Sequence, residues 1–331
     1  MPESVTSTKT SPYGFYERLH AEFPSQIIVD VTEVCNLACI HCPHPSFKNS
    51  ELYKARYQDA DLNRKLVDEV RVAGAGHTQY IRYTGEGEPL IHPRLFEMLE
   101  YAVAKSGVTI SLTTNGTLLT AKRINQLLAT GVQIVDISLD AYTPETYAKI
   151  RVNGNLDVTR SNVLNLLAAI NATGSKTKVV VSYVEQPLNV SETGAFEAYW
   201  KSQGANYVVV RRLHSAAGAV DAAAILIRDE IGSQPRRACL YPWERIILNP
   251  RGELIFCPQD WVHGSVIADY RETTIEAVWR GDFYRKLRDA HLKGEYSCHG
   301  FCEKCPDWKH TRWPGEGRSY ANMVAEFKER E

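Results

Sequence analysis

The stretch Ile27-Ile28-Val29-Asp30-Val31, followed by Val34-Cys35-Asn36-Leu37-Ala38-Cys39-Ile40-His41-Cys42-Pro43, decides how the chain is read. Five residues, four of them β-branched and apolar, form a strand, and three thiols follow it with three and two residues between them. Three thiolates can wrap an iron–sulfur cubane while leaving one iron without a protein ligand, open to a small molecule. A zinc knuckle is the competing reading of the same thiols, with His41 or His44 as fourth ligand.

Outward from this stretch, strands and helices alternate. Strands are expected at residues 80–83, 108–113, 134–138, 178–184 and 207–211, with helices at 61–73, 93–104, 121–129, 158–172 and 192–203. Val179-Val180-Val181 and Tyr207-Val208-Val209-Val210 are apolar on consecutive positions, which suits strands buried on both faces of a parallel sheet. The expected fold is α/β, a partial (β/α)6 TIM-like barrel, with functional residues in the loops at the C-terminal ends of its strands.

Those loops carry polar and glycine-rich text. The second strand runs into Tyr83-Thr84-Gly85-Glu86-Gly87-Glu88-Pro89-Leu90, the third into Thr113-Thr114-Asn115-Gly116, and the fourth ends Ile137-Ser138-Leu139-Asp140-Ala141. Taken singly, Gly-Glu-Gly is a plain turn, and Ser138 and Asp140 are a helix cap or turn as readily as ligand contacts.

The chain has eight cysteines, and the other five lie together: Cys239, Cys257, Cys298, Cys302 and Cys305. Near the end the text becomes rich in Cys, Pro, Gly and Trp, with a hairpin at 246–256 around Asn249-Pro250-Arg251-Gly252 and one helix at 274–290. This predicts a small Cys-rich α+β domain. Expected boundaries are a tail with a short helix at 1–24, the barrel at 25–230, the cysteine-rich domain at 231–313 and a C-terminal helix at 314–331. The four-cysteine set Cys239, Cys257, Cys302 and Cys305 also has the pairing of a zinc ribbon.

Bulk properties narrow the function. Lys plus Arg is 38 and Asp plus Glu is 39, a formal charge of -1 over 331 residues. That balance argues against a broad nucleic-acid surface. No apolar run approaches the roughly 20 residues of a membrane span, and the first residues form no secretory signal. A cytoplasmic location is expected, where clustered cysteines hold metal more often than they form disulfides.

The thiol trio after the first strand, with Gly87-Glu88-Pro89, Asn115-Gly116 and Ser138-Leu139-Asp140 in order after the next three, resembles the radical S-adenosylmethionine (SAM) superfamily. The resemblance implies a 4Fe–4S cluster on Cys35, Cys39 and Cys42 whose fourth iron is chelated by SAM. It further implies cofactor contacts from His41, which stands where the family usually has an aromatic, and from Gly87, Glu88, Asn115, Ser138, Asp140 and Arg160. The later cysteines resemble the SPASM extension in its shortened Twitch form, implying one auxiliary 4Fe–4S cluster on Cys239, Cys257, Cys302 and Cys305. Cys298 is left over: a substitute ligand, an inert buried thiol, or a catalytic hydrogen donor facing substrate. Twitch-type relatives include oxidants of cyclitol or amino-sugar alcohols, so the implied reaction is dehydrogenation of a small polar substrate, with an electron donor such as flavodoxin or ferredoxin. Glu185, Arg211 and His214 are candidates for substrate contact. Modification of a ribosomal peptide is the alternative, and so is epimerisation with Cys298 as donor. The short run before the first strand, too short for a peptide-recognition domain, favours the small molecule.

Overall fold

A computed structural model describes residues 22–220, 236–310 and 320–329. Among these residues nine strands form one sheet: β1 (Gln26–Asp30), β2 (Tyr80–Thr84), β3 (Thr109–Thr114), β4 (Ile134–Ser138), β5 (Lys178–Glu185), β6 (Tyr207–Arg212), β7 (Arg245–Leu248), β8 (Glu253–Ile255) and β9 (Val266–Asp269), in the order β6-β5-β4-β3-β2-β1-β7-β8-β9. The first six are parallel and in sequence order. Helices α1 (His44–Lys48), α2 (Ala60–Val72), α3 (Leu95–Lys105), α4 (Ala121–Ala129), α5 (Pro144–Ile150), α6 (Leu156–Thr173) and α7 (Thr193–Ser202) intervene. This is the expected partial barrel.

Strand periodicity of two sorts its residues between faces. Ile27 and Val29, Ile81 and Tyr83, Ile110 and Leu112, Val135 and Ile137 turn outward into one core with Leu66, Leu99, Leu127, Leu166 and Trp200 of the helices. Each such buried side chain contributes roughly 1.5–3 kcal/mol. The inner face is layered. At its base Tyr80, Ile134 and Val180 pack on Met323, Val324 and Phe327 of a last helix, α12 (Tyr320–Glu329). Higher up the inward positions are polar. Consecutive apolar residues therefore mark buried strands at β5, whereas β6, the end of the sheet, is only half-buried, with Val210 exposed.

The hairpin does not stand apart: β7 pairs in parallel with β1, Gln26 opposite Arg245, and β8 and β9 follow antiparallel. The boundary expected near 230 and most of the tail expected at 1–24 lie outside the described residues. The single helix expected at 274–290 is two, α9 (Ile275–Arg280) and α10 (Asp282–Lys293). Gly281 between them is extended (ψ 172°) and sits so close to the Ala277 carbonyl that a Cβ would come within 2.8 Å of it. The short helices α8 (Tyr241–Glu244) and α11 (Gly300–Glu303) complete this region. No helix among the described residues is long and apolar enough to cross a membrane.

Candidate active site

The cysteine loop leaves the end of β1 and is tied down on both sides. Ala38 N–H donates to the Val152 carbonyl and Ile40 N–H to the Ile150 carbonyl, each at 3.0 Å, while Glu88 N–H donates to the Val34 carbonyl at 2.8 Å. Gly87 faces the same loop so closely that a Cβ would lie 2.3 Å from the Val34 carbonyl oxygen. Its lack of a side chain thus serves loop packing as well as the cavity it lines. Cys35, Cys39 and Cys42 line that cavity together. Burial pushes the free thiols up, Cys35 to about 11 and Cys42 to about 12, so thiolates there need a cation to bind, and metal ligation releases their protons.

Glu88 is a knot between loops. Its carboxylate accepts from Thr114 Oγ1 (2.6 Å), Asn115 N–H (2.7 Å) and Leu90 N–H (3.0 Å), and it is 2% exposed. Asn115 in turn donates from its side chain to Asn36 Oδ1 at 3.0 Å. The loops after β2 and β3 are thereby bound to the cysteine loop. Glu88, Asn115 and Ser138 all line the cavity.

Asp140 does not line it. Fully buried, it holds a left-handed backbone (φ 62°), uncommon outside glycine though tolerated by Asp. Val184 N–H and the Asn189 side chain lock it there, donating to its Oδ1 (2.7 Å) and carbonyl (2.8 Å). Its other oxygen lies 2.5 Å from Arg151 Nη2 and 3.4 Å from His41 Nε2. Asp140 therefore orients two cavity-lining side chains from behind. Arg160 is placed elsewhere too: it donates to the Tyr142 carbonyl and stacks over the Tyr142 and Tyr199 rings, because α6 belongs to the outer layer. The arginine at the site is Arg151, with Nη1 at 3.6 Å from Cys39 Sγ. It caps α5, a helix the sequence reading did not place; its one signal is a cation soon after the polar end of β4.

His41 is half-buried, and its loss of solvation lowers its pKa to about 4 and keeps the ring neutral. Its Nδ1 has no hydrogen-bond partner among the described residues. His44 is engaged elsewhere, Nε2 lying 2.8 Å from the Glu33 carbonyl.

The second thiol set also converges. Cys239, Cys257, Cys302 and Cys305 line a small apolar cavity, Cys257 just beyond β8 and Cys302 on α11. Cys298 does not line it; it is exposed, near Cys302, and it does not line the large cavity either. An inert buried thiol and a donor facing substrate both disagree with that placement. Among the described residues no three His, Cys, Asp or Glu side chains form a site for a single ion.

The large cavity, about 1250 Å³, opens on the inner face of the sheet. Arg211 and His214 line it, but Glu185 does not: it accepts from Thr193 Oγ1 at 2.7 Å, on the outer side. Tyr241, Gln259 and Trp308 line both cavities and so form the wall between the two thiol sets.

Residues 29–186, which contain Cys35, Cys39 and Cys42, match the Radical SAM superfamily, and residues 239–306 match the SPASM iron–sulfur cluster-binding domain. The chain is a radical SAM protein with a C-terminal SPASM domain. A radical SAM domain binds SAM with a 4Fe–4S cluster, and the SPASM domain adds further iron–sulfur binding.

Among curated relatives, the mycofactocin maturase MftC of Mycobacterium tuberculosis is 26% identical over 321 residues, 83% of this chain and 75% of that protein. A GTP 3',8-cyclase of Chlorobaculum tepidum is 31% identical over 51% of this chain and 47% of its own length. Of solved structures, BtrN in complex with AdoMet and 2-DOIA has a TM-score of 0.59 at 19% identity, covering 85% of this chain and 92% of BtrN. Streptococcus suis SuiB bound to precursor peptide SuiA has a TM-score of 0.64 at 13% identity, covering 92% and 73%. These last two likenesses show the radical SAM–SPASM fold.

The radical SAM site suits its cofactors chemically. Three thiols line one cavity with Arg151, which reaches Cys39; a neutral imidazole with an unpartnered buried nitrogen lines it too, and loop residues after β2, β3 and β4 surround the same space.

Proposed function

We propose that this chain oxidises a small polar substrate at a carbon bearing a hydroxyl group, with Cys35, Cys39 and Cys42 holding the SAM-binding cluster and Cys239, Cys257, Cys302 and Cys305 holding one auxiliary cluster. When bound, the first cluster with SAM would supply a radical that takes a hydrogen atom from the carbon, the hydroxyl proton would leave to solvent, and the second cluster would accept the remaining electron. The chain's own residues do the rest. Glu88 and Asn115 would fix the loops round the cofactor, Arg151 would offset thiolate charge, and His41 would supply a planar side chain for the adenine to pack on. The observation that carries the reading is the shared wall of Tyr241, Gln259 and Trp308, which sets the auxiliary thiols directly behind the substrate cavity. BtrN, crystallised with AdoMet and 2-DOIA, supports a small substrate. A reductant such as flavodoxin or ferredoxin would feed the first cluster.

Peptide modification is the second reading, favoured by the mycofactocin maturase match along 83% of the chain and by the likeness to peptide-bound SuiB. The cavity, about 1250 Å³, is larger than a typical small-molecule pocket.

Anaerobic reconstitution tests the proposal. Wild-type protein should hold about eight irons in two cubanes and release 5′-deoxyadenosine with dithionite. Cys302→Ala should fall to about four irons and lose oxidised product while still cleaving SAM. Four irons in the wild type, or full product from the variant, would refute it.

A further inference from the structure

Two buried nitrogen donors stand beside the auxiliary thiols with no acceptor. His291, in the last turn of α10, is 3% exposed and lines the small cavity with Cys239, Cys257, Cys302 and Cys305. Its Nδ1 accepts from Cys239 N–H at 3.3 Å. A ring nitrogen that accepts carries no hydrogen, so the imidazole hydrogen sits on Nε2. That Nε2 is buried and has no hydrogen-bond partner among the described residues. Trp243 and Tyr296 fix the ring, T-shaped to it at 6.3 and 5.4 Å between centroids.

Arg236 lines the same cavity. Its Nη1 donates to the Glu303 carbonyl at 2.8 Å and its Nη2 to the Cys302 carbonyl, and the guanidinium lies 4.2 Å over the Tyr296 ring. Its Nε–H is buried and has no hydrogen-bond partner among the described residues. The other charged side chain of this cavity among the described residues is Asp307, whose carboxylate accepts from Ser215 N–H, the Ser215 hydroxyl and Ala217 N–H.

A buried N–H group without an acceptor is destabilising. Two of them on the wall of a cavity lined by four thiols match an acceptor that is itself sulfur. We infer that His291 Nε2–H and Arg236 Nε–H donate to sulfurs of the cluster held by Cys239, Cys257, Cys302 and Cys305, raising its reduction potential and so fitting it to take the substrate's electron. Donors to the sulfurs offset the negative charge that reduction adds, and this is one of the ways a protein sets a cluster's potential. The inference rests on the auxiliary-cluster assignment above. Neither residue lines the substrate cavity, so both are positioning residues.

The test uses full-length protein with both clusters reconstituted and SAM bound, in a redox titration followed by electron paramagnetic resonance. The auxiliary signal is the one that SAM leaves unchanged. His291→Phe keeps a ring against Trp243 but has no N–H, and the equilibrium constant for reducing the auxiliary cluster should fall about tenfold, roughly 59 mV for one electron. His291→Gln returns an N–H and should recover part of the fall. Arg236→Lys keeps the charge without the Nε–H and should fall several-fold. The SAM-binding cluster should keep its potential in every variant. A merely structural role would lower iron content without moving the potential of the iron retained. Should a variant lose its iron, electron–nuclear double resonance on the reduced wild-type protein decides: the auxiliary signal should couple weakly to a hydron exchangeable in deuterium oxide and to an isotope-labelled histidine nitrogen. An unshifted potential in His291→Phe, or no histidine coupling in wild-type protein holding about eight irons, overturns the inference and leaves the auxiliary cluster standing; an unshifted Arg236→Lys removes Arg236 from it. Wild-type protein with about four irons and no second signal removes the auxiliary cluster itself.

Discussion

Arg151 and Asp140 form a buried ion pair at 2.5 Å, the aspartate fully buried in a left-handed backbone, and the same guanidinium reaches Cys39 Sγ at 3.6 Å. Removing one partner leaves an uncompensated charge, which costs about 3–5 kcal/mol. Arg151→Gln should therefore destabilise the cluster-free protein by that amount in urea unfolding, and adding Asp140→Asn should recover part of it. Additive losses in the double variant would show that the pair is not coupled.

Gly87 packs where a methyl group would meet the Val34 and Thr32 carbonyls at 2.3 and 2.6 Å. Gly87→Ala must push the cysteine loop away, so iron should drop from about eight towards four while the auxiliary cluster remains visible by electron paramagnetic resonance. Full iron loading of the variant would contradict this placement.

Glu86 is held up to about 8 from 4.5, first by burial and then by the Glu33 charge. The folded state keeps a proton that the unfolded state releases, so this contribution is whole below pH 4.5 and is lost as pH rises towards 8. Between pH 5 and 8 the loss should be roughly 2–4 kcal/mol. Thermal or urea unfolding across that window should slope downward for the wild type and more gently for Glu86→Gln; equal slopes would exclude Glu86 as the source.

Phe327 of α12 packs edge-on to Tyr207 at 5.8 Å between ring centroids and, with Met323, closes the base of the barrel. Phe327→Ala should cost about 3–5 kcal/mol as a buried aromatic truncation. A loss under about 1 kcal/mol in denaturant unfolding would mean that α12 is not needed for the barrel.

Much of the fold was legible because strand and helix periods are local. The apolar runs at β4 and β5 and the text Cys35–Cys42 could each be read within one window. Edge position could not: Val208 and Val210 read like the valines of β5, yet among the described residues β6 has a strand neighbour on one side only. Arg160 and Arg151 show the same limit. Both follow β4, and only the packing of α5 under the cysteine loop selects Arg151.

The sequence alone determined the thiol trio after the first strand, the four later ligand candidates and the order of the loops, since these depend on residue type and spacing. Tertiary structure decided which side chains meet: Asp140 behind Arg151 and His41, Cys298 away from the cavity, and Arg82 with Arg211 on Asp136. Those encounters join residues as many as 75 positions apart across Asp136 alone, and separation of that length is closed by the folding of the sheet, not by any local pattern.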